Sequence, residues 1–298
     1  MTASALLDAS PITYRRWLGN GLAYERSHAC LNQRDAAQRL DVQRATIGHY
    51  ETGRNLPSVG DLEALLTLYG AAGRIEHYRA LREGARRGEN WWRRIADVSP
   101  WFDHYLGLES GAVAIGSFDP MYLPGLLQTQ RYAKAMFRAD PDITDERAHE
   151  LARVRTERRQ ILERADRPAR LRAIVDESVL YRDPDPGDRA LMREQLESLL
   201  ADTEDPNIEL SILPLRGGAF AGMIDHPFKV LDFPPEMVGD HGVVYIELHG
   251  SAQYLEEEGS LELYEQGLRD LGNAAAAACE RLGAQPRELI TKALKEVT

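Results

Sequence analysis

Between Asn32 and Ser58 the chain has room for two short helices and for nothing longer. Asn32 is a good N-cap for "QRDAAQRL", in which Ala36, Ala37 and Leu40 fall on one side and Arg34, Asp35, Gln38 and Arg39 on the other. The break "DVQ" follows, and "RATIGHYE" resumes helical spacing with Ile47 and Tyr50 inward. That leaves Arg44, Ala45, Gly48 and His49 facing outward. Gly53 stands where a left-handed cap ends a helix, and Pro57 blocks any continuation. On either side, Tyr14, Trp17, Leu18 and Leu22 mark one amphipathic helix from Thr13, and Leu62, Leu65, Leu66 and Tyr69 mark another. Two short helices around a tight break, inside a small bundle, form a helix-turn-helix.

The outward face of the second helix then suits DNA. A helix in the major groove needs donors and acceptors near its N-terminal end, and Gln43, Arg44 and His49 supply them. The alternative is a solvated face of a helical scaffold. Charge fits a DNA-reading head on a regulatory body, and an interaction module on an enzyme equally: residues 1–90 carry 12 Arg against 10 acidic residues, whereas the rest carries 24 basic against 37 acidic. The net charge of -11 is therefore segregated, with a weakly basic head on an acidic body, and double-stranded DNA should be met by the head alone.

The stretch "NQRDAAQRLDVQRATIGHYETGRNLPS" resembles the Xre-type, phage-repressor-like helix-turn-helix family. The resemblance implies phosphate contacts from Gln33 and Gln43, base contacts from Arg44, Ala45 and His49, and backbone contact near Arg54. It also implies that Arg26 pairs with Glu51. This chain departs from that pattern in having Asp41 where the turn normally has glycine; Asp41 can adopt the left-handed conformation, at some cost.

Three domains are expected: a disordered N-terminus over 1–10, a helix-turn-helix domain over 11–85, and an α+β domain over 86–298. The expected fold class is thus α+β, an N-terminal all-α bundle followed by a roughly five-stranded sheet. The strands are expected at "AVAIGSF" (112–118), "LRAIVDE" (171–177), "IELSILP" (208–214), "PFKVLDF" (227–233) and "VVYIEL" (243–248). Their alternation suggests a sheet with one covered face. "RGGAFAG" (216–222) reads as a hairpin loop, and the Arg/Glu-rich stretch around 145–164 as a solvated helix. The aromatics around Trp91, Trp92 and Trp101 suit a helix packed where two domains meet, and Cys30 suits a small buried hydrophobe.

Asp225 with His226, His241, and Glu247 with His249 are the polar clusters an enzyme would use. No nucleophile elbow, phosphate loop or paired-cysteine signature accompanies them, so neither an enzyme nor a cofactor or metal is expected. No apolar run approaches a membrane span, and the first residues, "MTASALLDASP", lack an export signal, which predicts a cytoplasmic protein.

"FDPMYLPGLLQTQRYAKAMF", with "NIELSILPLRGGAF" and "VVYIELHGSAQYLEE" further on, resembles the actinobacterial WhiJ-like, antitoxin-type regulators. That resemblance implies a transcription regulator, often associated with a small partner protein; the alternative is an antitoxin-like interaction module that acts mainly through that partner. In the same motif Gln128, Thr129 and Tyr132 are candidate ligand or partner contacts, with packing and capping as the alternative. A single helix-turn-helix covers few base pairs, so a homodimer on a palindrome is expected, its body answering the partner protein or an unknown small-molecule effector.

Overall fold

Ser10 accepts the amide of Thr13 and Pro11 follows it, so α1 (Pro11–His28) begins ahead of the apolar spacing that marks it. This computed structural model describes residues 9–87, 90–219 and 226–297. After α1 come α2 (Gln33–Leu40), α3 (Arg44–Glu51), α4 (Val59–Leu68) and α5 (Ile75–Arg86). Their shared core holds Tyr14, Trp17, Leu18, Leu22, Ile47, Leu62, Leu65, Leu66, Tyr78 and Leu81. Large apolar side chains contribute about 1.5–3 kcal/mol each on full burial, so this core is what holds five short helices together.

The helical unit is not one stretch of chain. Besides the first 90 residues it takes Phe102–Ala112, most of α6 (Pro100–Glu109), and Phe233–His241. Trp17 requires this, because α1 to α5 leave part of it uncovered: Gly111 lies against its ring and Phe233 meets it edge-on at 6.0 Å. Arg16 reaches Asp240 through Nε and Nη2 at 2.8 and 2.7 Å, and the Ser10 amide donates to Ser110 Oγ at 2.9 Å. A single cut near residue 85 therefore misses two segments of the unit. Of the N-terminal segment expected to be disordered, residues 1–8 lie outside the described residues, and Ala9 and Ser10 are buried. Cys30 departs from expectation as well: it is exposed in a left-handed turn, with φ 57°, directly after α1. The aromatic stretch is not one helix either. A 3₁₀ turn, Trp91–Arg94, buries Trp92, and α6 starts separately at Pro100.

The second unit is built on a six-stranded sheet. Its strands are β1 (Ala114–Asp119), β2 (Arg170–Asp176), β3 (Ile208–Leu213), β4 (Phe228–Asp232), β5 (Val243–Leu248) and β6 (Ser251–Leu255), in the order β3-β2-β1-β4-β5-β6. β1, β2 and β3 run parallel, and β4, β5 and β6 add on antiparallel. The helices between and after them are α7 (Gln130–Arg138), α8 (Asp145–Glu157), α9 (Arg189–Asp202), α10 (Glu258–Leu282) and α11 (Pro286–Glu296). Fold class is thus α+β, as the strand and helix patterns suggest.

Both faces of the sheet are covered, not one. Phe118, Ile174, Phe228 and Val230 pack with Leu268 and Leu271 of α10, while Ile115, Leu171, Ala173, Val175 and Leu231, on the other alternation, are buried too. "RGGAFAG" is no hairpin loop, since β3 and β4 are not neighbours: the chain leaving β3 must cross β2 and β1 to reach β4. Residues 220–222 of that stretch lie outside the described residues. The Arg/Glu-rich helix is only partly solvated. Arg153 pairs with Glu157 at 3.2 Å, but Arg158 is buried and Arg155 bonds Gln128 at 3.1 Å. Burial, then the neighbouring Arg158, pulls the Arg155 guanidinium down to about 10.

Asp232, at the end of β4, makes no ion pair or side-chain hydrogen bond among the described residues. Burial, then repulsion from Glu265, pushes its carboxyl up to about 6. A carboxyl raised on folding stabilises the folded state only while protonated, and that contribution is lost as pH rises through 6. Asp232→Asn is therefore expected to gain about 1–3 kcal/mol at pH 8, a gain that shrinks as pH falls below 6, read from denaturant titrations at both pH values. Equal effects at both would contradict it.

Candidate nucleic-acid interface

α2 opens on a reciprocal cap: Asn32 Oδ1 accepts the amides of Arg34 and Asp35, and Asp35 accepts the amide of Asn32 at 2.8 Å. Asp41 ends it at φ 55°, ψ 45°, the left-handed turn that the sequence assigns to this position. After two intervening residues, Val42 and Gln43, α3 starts at Arg44. Gln43 is its N-cap residue but makes no capping bond, and its exposed side chain is left without a protein partner among the described residues.

Ile47 and Tyr50 anchor α3 on its inner side, and the Tyr50 hydroxyl donates to Asp61 at 3.3 Å. The approach to α1 is closer than any side chain allows. A Cβ on Gly19 would collide with the Glu51 backbone carbonyl, so Gly19 lets the two helices meet backbone to side. At the far end of α3, Gly53 at φ 67° turns the chain away.

One chain of polar contacts then ties three helices to the outer face. Arg26 on α1 donates through Nε and Nη2 to the two carboxylate oxygens of Glu51 at 2.5 and 2.9 Å. Glu51 Oε2 also accepts from Gln33 Nε2 at 2.8 Å, and Gln33 Oε1 accepts from Arg44 Nε at 3.1 Å. The Arg26 and Glu51 side chains are only 16% and 7% exposed, so solvent screens their pairing weakly. The bond to Glu51 outweighs the effect of burial and holds the Arg26 guanidinium above its ordinary value.

The sequence-predicted contact residues divide accordingly. Gln43, Arg44, Ala45 and Arg54 are exposed, His49 and Gln33 are half-buried, and Gln33 is committed to Glu51 and Arg44. Gln33 thus positions Arg44, a role that spacing alone does not reveal. Its signal is only that Gln33 and Arg44 each open a helix of the pair. No acidic residue sits in the first turn of α3, so the positive end of its backbone dipole is uncompensated. An uncovered helix N-terminus carrying an amide, a guanidinium and a methyl can approach phosphates and read base edges.

The candidates in the second unit are used internally. Gln128 donates to the Leu123 carbonyl at 2.6 Å and accepts from Arg155, Thr129 caps α7, and Tyr132 is buried. Glu247 accepts from Tyr245 at 3.3 Å, while His249 is exposed in the turn between β5 and β6 and no hydrogen bond joins the two. His226 meets the Tyr264 hydroxyl at 3.2 Å, His241 is exposed, and Asp225 lies outside the described residues. Among the described residues no three His, Cys, Asp or Glu side chains could hold a metal, and no helix is long and apolar enough to cross a membrane.

The family model of a helix-turn-helix domain matches residues 17–78, which span most of α1 through the first turn of α5. A second model, that of the domain of unknown function DUF5753, matches residues 102–281, more than half of the chain. The chain belongs to the DUF5753 family. No curated protein and no solved structure matches it. The DUF5753 region begins at Phe102, on the α6 segment that packs within the helical unit, so this family's domain and the sheet unit are not the same piece of chain. The helix-turn-helix domain places the protein among DNA-binding regulators of transcription.

Proposed function

We propose that this DUF5753 protein is a sequence-specific, Xre-type transcription regulator of the WhiJ-like kind, acting in the cytoplasm without catalytic activity of its own. The observation that carries the reading is the α3 N-terminus: Gln43, Arg44 and Ala45 stand exposed on a helix whose Arg44 is held by Gln33. A guanidinium fixed at Nε still has both terminal nitrogens to offer, the fork that suits guanine's two acceptors. Because one such helix reads few base pairs, the protein acts as a homodimer on a two-fold site, with the body joining the copies and answering an effector or small partner protein.

Arg44→Ala is expected to lower discrimination between a selected operator and a scrambled duplex by about 1–3 kcal/mol, measured by fluorescence anisotropy at fixed salt. Equal binding of both duplexes by the native chain overturns the proposal. Gly48 separates a DNA-facing helix from a merely solvated one. A Cβ there meets nothing closer than the Gln33 amide at 3.8 Å, so the protein itself has room for alanine. Gly48→Ala is thus expected to raise stability by about 0.5–1 kcal/mol while weakening operator binding. Gains in both would mean that no groove wall approaches this face.

A further inference from the structure

The sheet unit carries a groove of about 680 Å³ where α10 rises off the starts of β1, β2 and β3. Gly116 lets α10 sit close over its floor: a Cβ there would run into Leu268, which instead packs directly on the strand and lines the groove with Val230. Charged groups rim it. Arg172 pairs with Glu209 at 3.4 Å and Arg269 with Glu265 at 3.5 Å, which leaves one acid and one base over.

Those two are Asp232 and Arg170, neither of which has an ion-pair partner among the described residues. They are not scattered. Ala114 pairs with Arg170 on one side and with Asp232 on the other, so the three form one row across the sheet. Residues in one row project to the same face, and two strand spacings separate the outer pair by about 10 Å. Burial and Glu265 hold the Asp232 carboxyl up to about 6, as befits an acid lacking a cation. An opposed acid and base, each unmatched, over an apolar floor make up a recognition surface for a molecule that carries both charges.

We propose that this groove binds a small zwitterion with an apolar body, a free amino acid or short peptide, its ammonium on Asp232 and its carboxylate on Arg170. The inference rests on the regulator reading above and names its effector class. Two lining strands run on directly into segments of the helical unit: Ala112 precedes Val113 and β1, and Phe233 follows Asp232. A ligand seated on Asp232 therefore acts on a residue bonded to one that builds the DNA-binding unit.

The test is saturation-transfer NMR on the full chain without DNA, with a casein hydrolysate of free amino acids and short peptides as probe. Transfer to hydrolysate components is expected, weakened at least tenfold when the hydrolysate is N-acetylated, and weakened at least tenfold by Asp232→Asn and by Arg170→Gln. Both variants are near-isosteric or exposed, and their melting curves serve as the folding check. No transfer to the native chain, equal transfer from the acetylated probe, or native affinity in either folded variant overturns the proposal. A chain that binds the hydrolysate but no operator keeps this site and drops the regulator reading; the reverse result does the opposite.

Discussion

Glu51→Ala is expected to cost the helical unit about 2–4 kcal/mol and to erase discrimination between operator and scrambled DNA. Glu51 is the acceptor for three donors on two helices, Arg26 Nε, Arg26 Nη2 and Gln33 Nε2. Removing it leaves Arg26, only 16% exposed, with the Leu31 carbonyl as its remaining acceptor. An ion desolvated and then deprived of its partner costs more than the pair contributes, so the loss should exceed that of a surface salt bridge several-fold. The double substitution Arg26→Met with Glu51→Leu tests that cause: it should recover most of the stability in urea titrations while leaving DNA discrimination poor, because Gln33 and Arg44 stay unfixed. A Glu51→Ala chain that unfolds like the native one would contradict the assignment.

Phe233→Ala should be comparably damaging, at about 3–4 kcal/mol, although residue 233 is far from the helix-turn-helix in sequence. Phe233 is 7% exposed, closes over Trp17, and lies under the Arg16 guanidinium at 5.3 Å. Its loss opens a cavity beside the largest side chain of the helical core and removes the ring on which the Arg16 guanidinium rests, leaving Asp240 to hold that guanidinium alone. Tryptophan fluorescence during urea unfolding reads it directly. If the variant keeps native stability, the 233–241 segment is a passenger on the helical unit and not a part of it.

How much of this was legible in the chain follows from the range of the forces involved. The turn between α2 and α3 is set locally, by Asn32 capping, by Asp41 accepting φ 55° and by Gly53 ending α3, and each leaves a mark within four residues. The parallel strands also announce themselves through apolar runs. β6 does not: "SAQYL" is half-exposed at the sheet edge, and only the two-residue turn His249–Gly250 after β5 signals it. The burial of both sheet faces, and the assignment of 233–241 to the helical unit, depend on contacts between residues far apart in sequence, for which periodicity has no signal. At the interface, spacing brings out which residues face outward, but not that Gln33 is spent on holding Arg44.

Methylation interference tests the central claim most directly, because a methyl on guanine N7 projects into the major groove and nowhere else. Operator duplexes sparsely methylated at N7 are sorted into bound and free fractions by the native chain and by Arg44→Ala. The account predicts that methylation of specific guanines excludes duplexes from the native complex and that Arg44→Ala loses this exclusion at one position in each half-site. Exclusion that is unchanged in the variant, or absent at every guanine for the native chain, would contradict a reading head built on the N-terminus of α3.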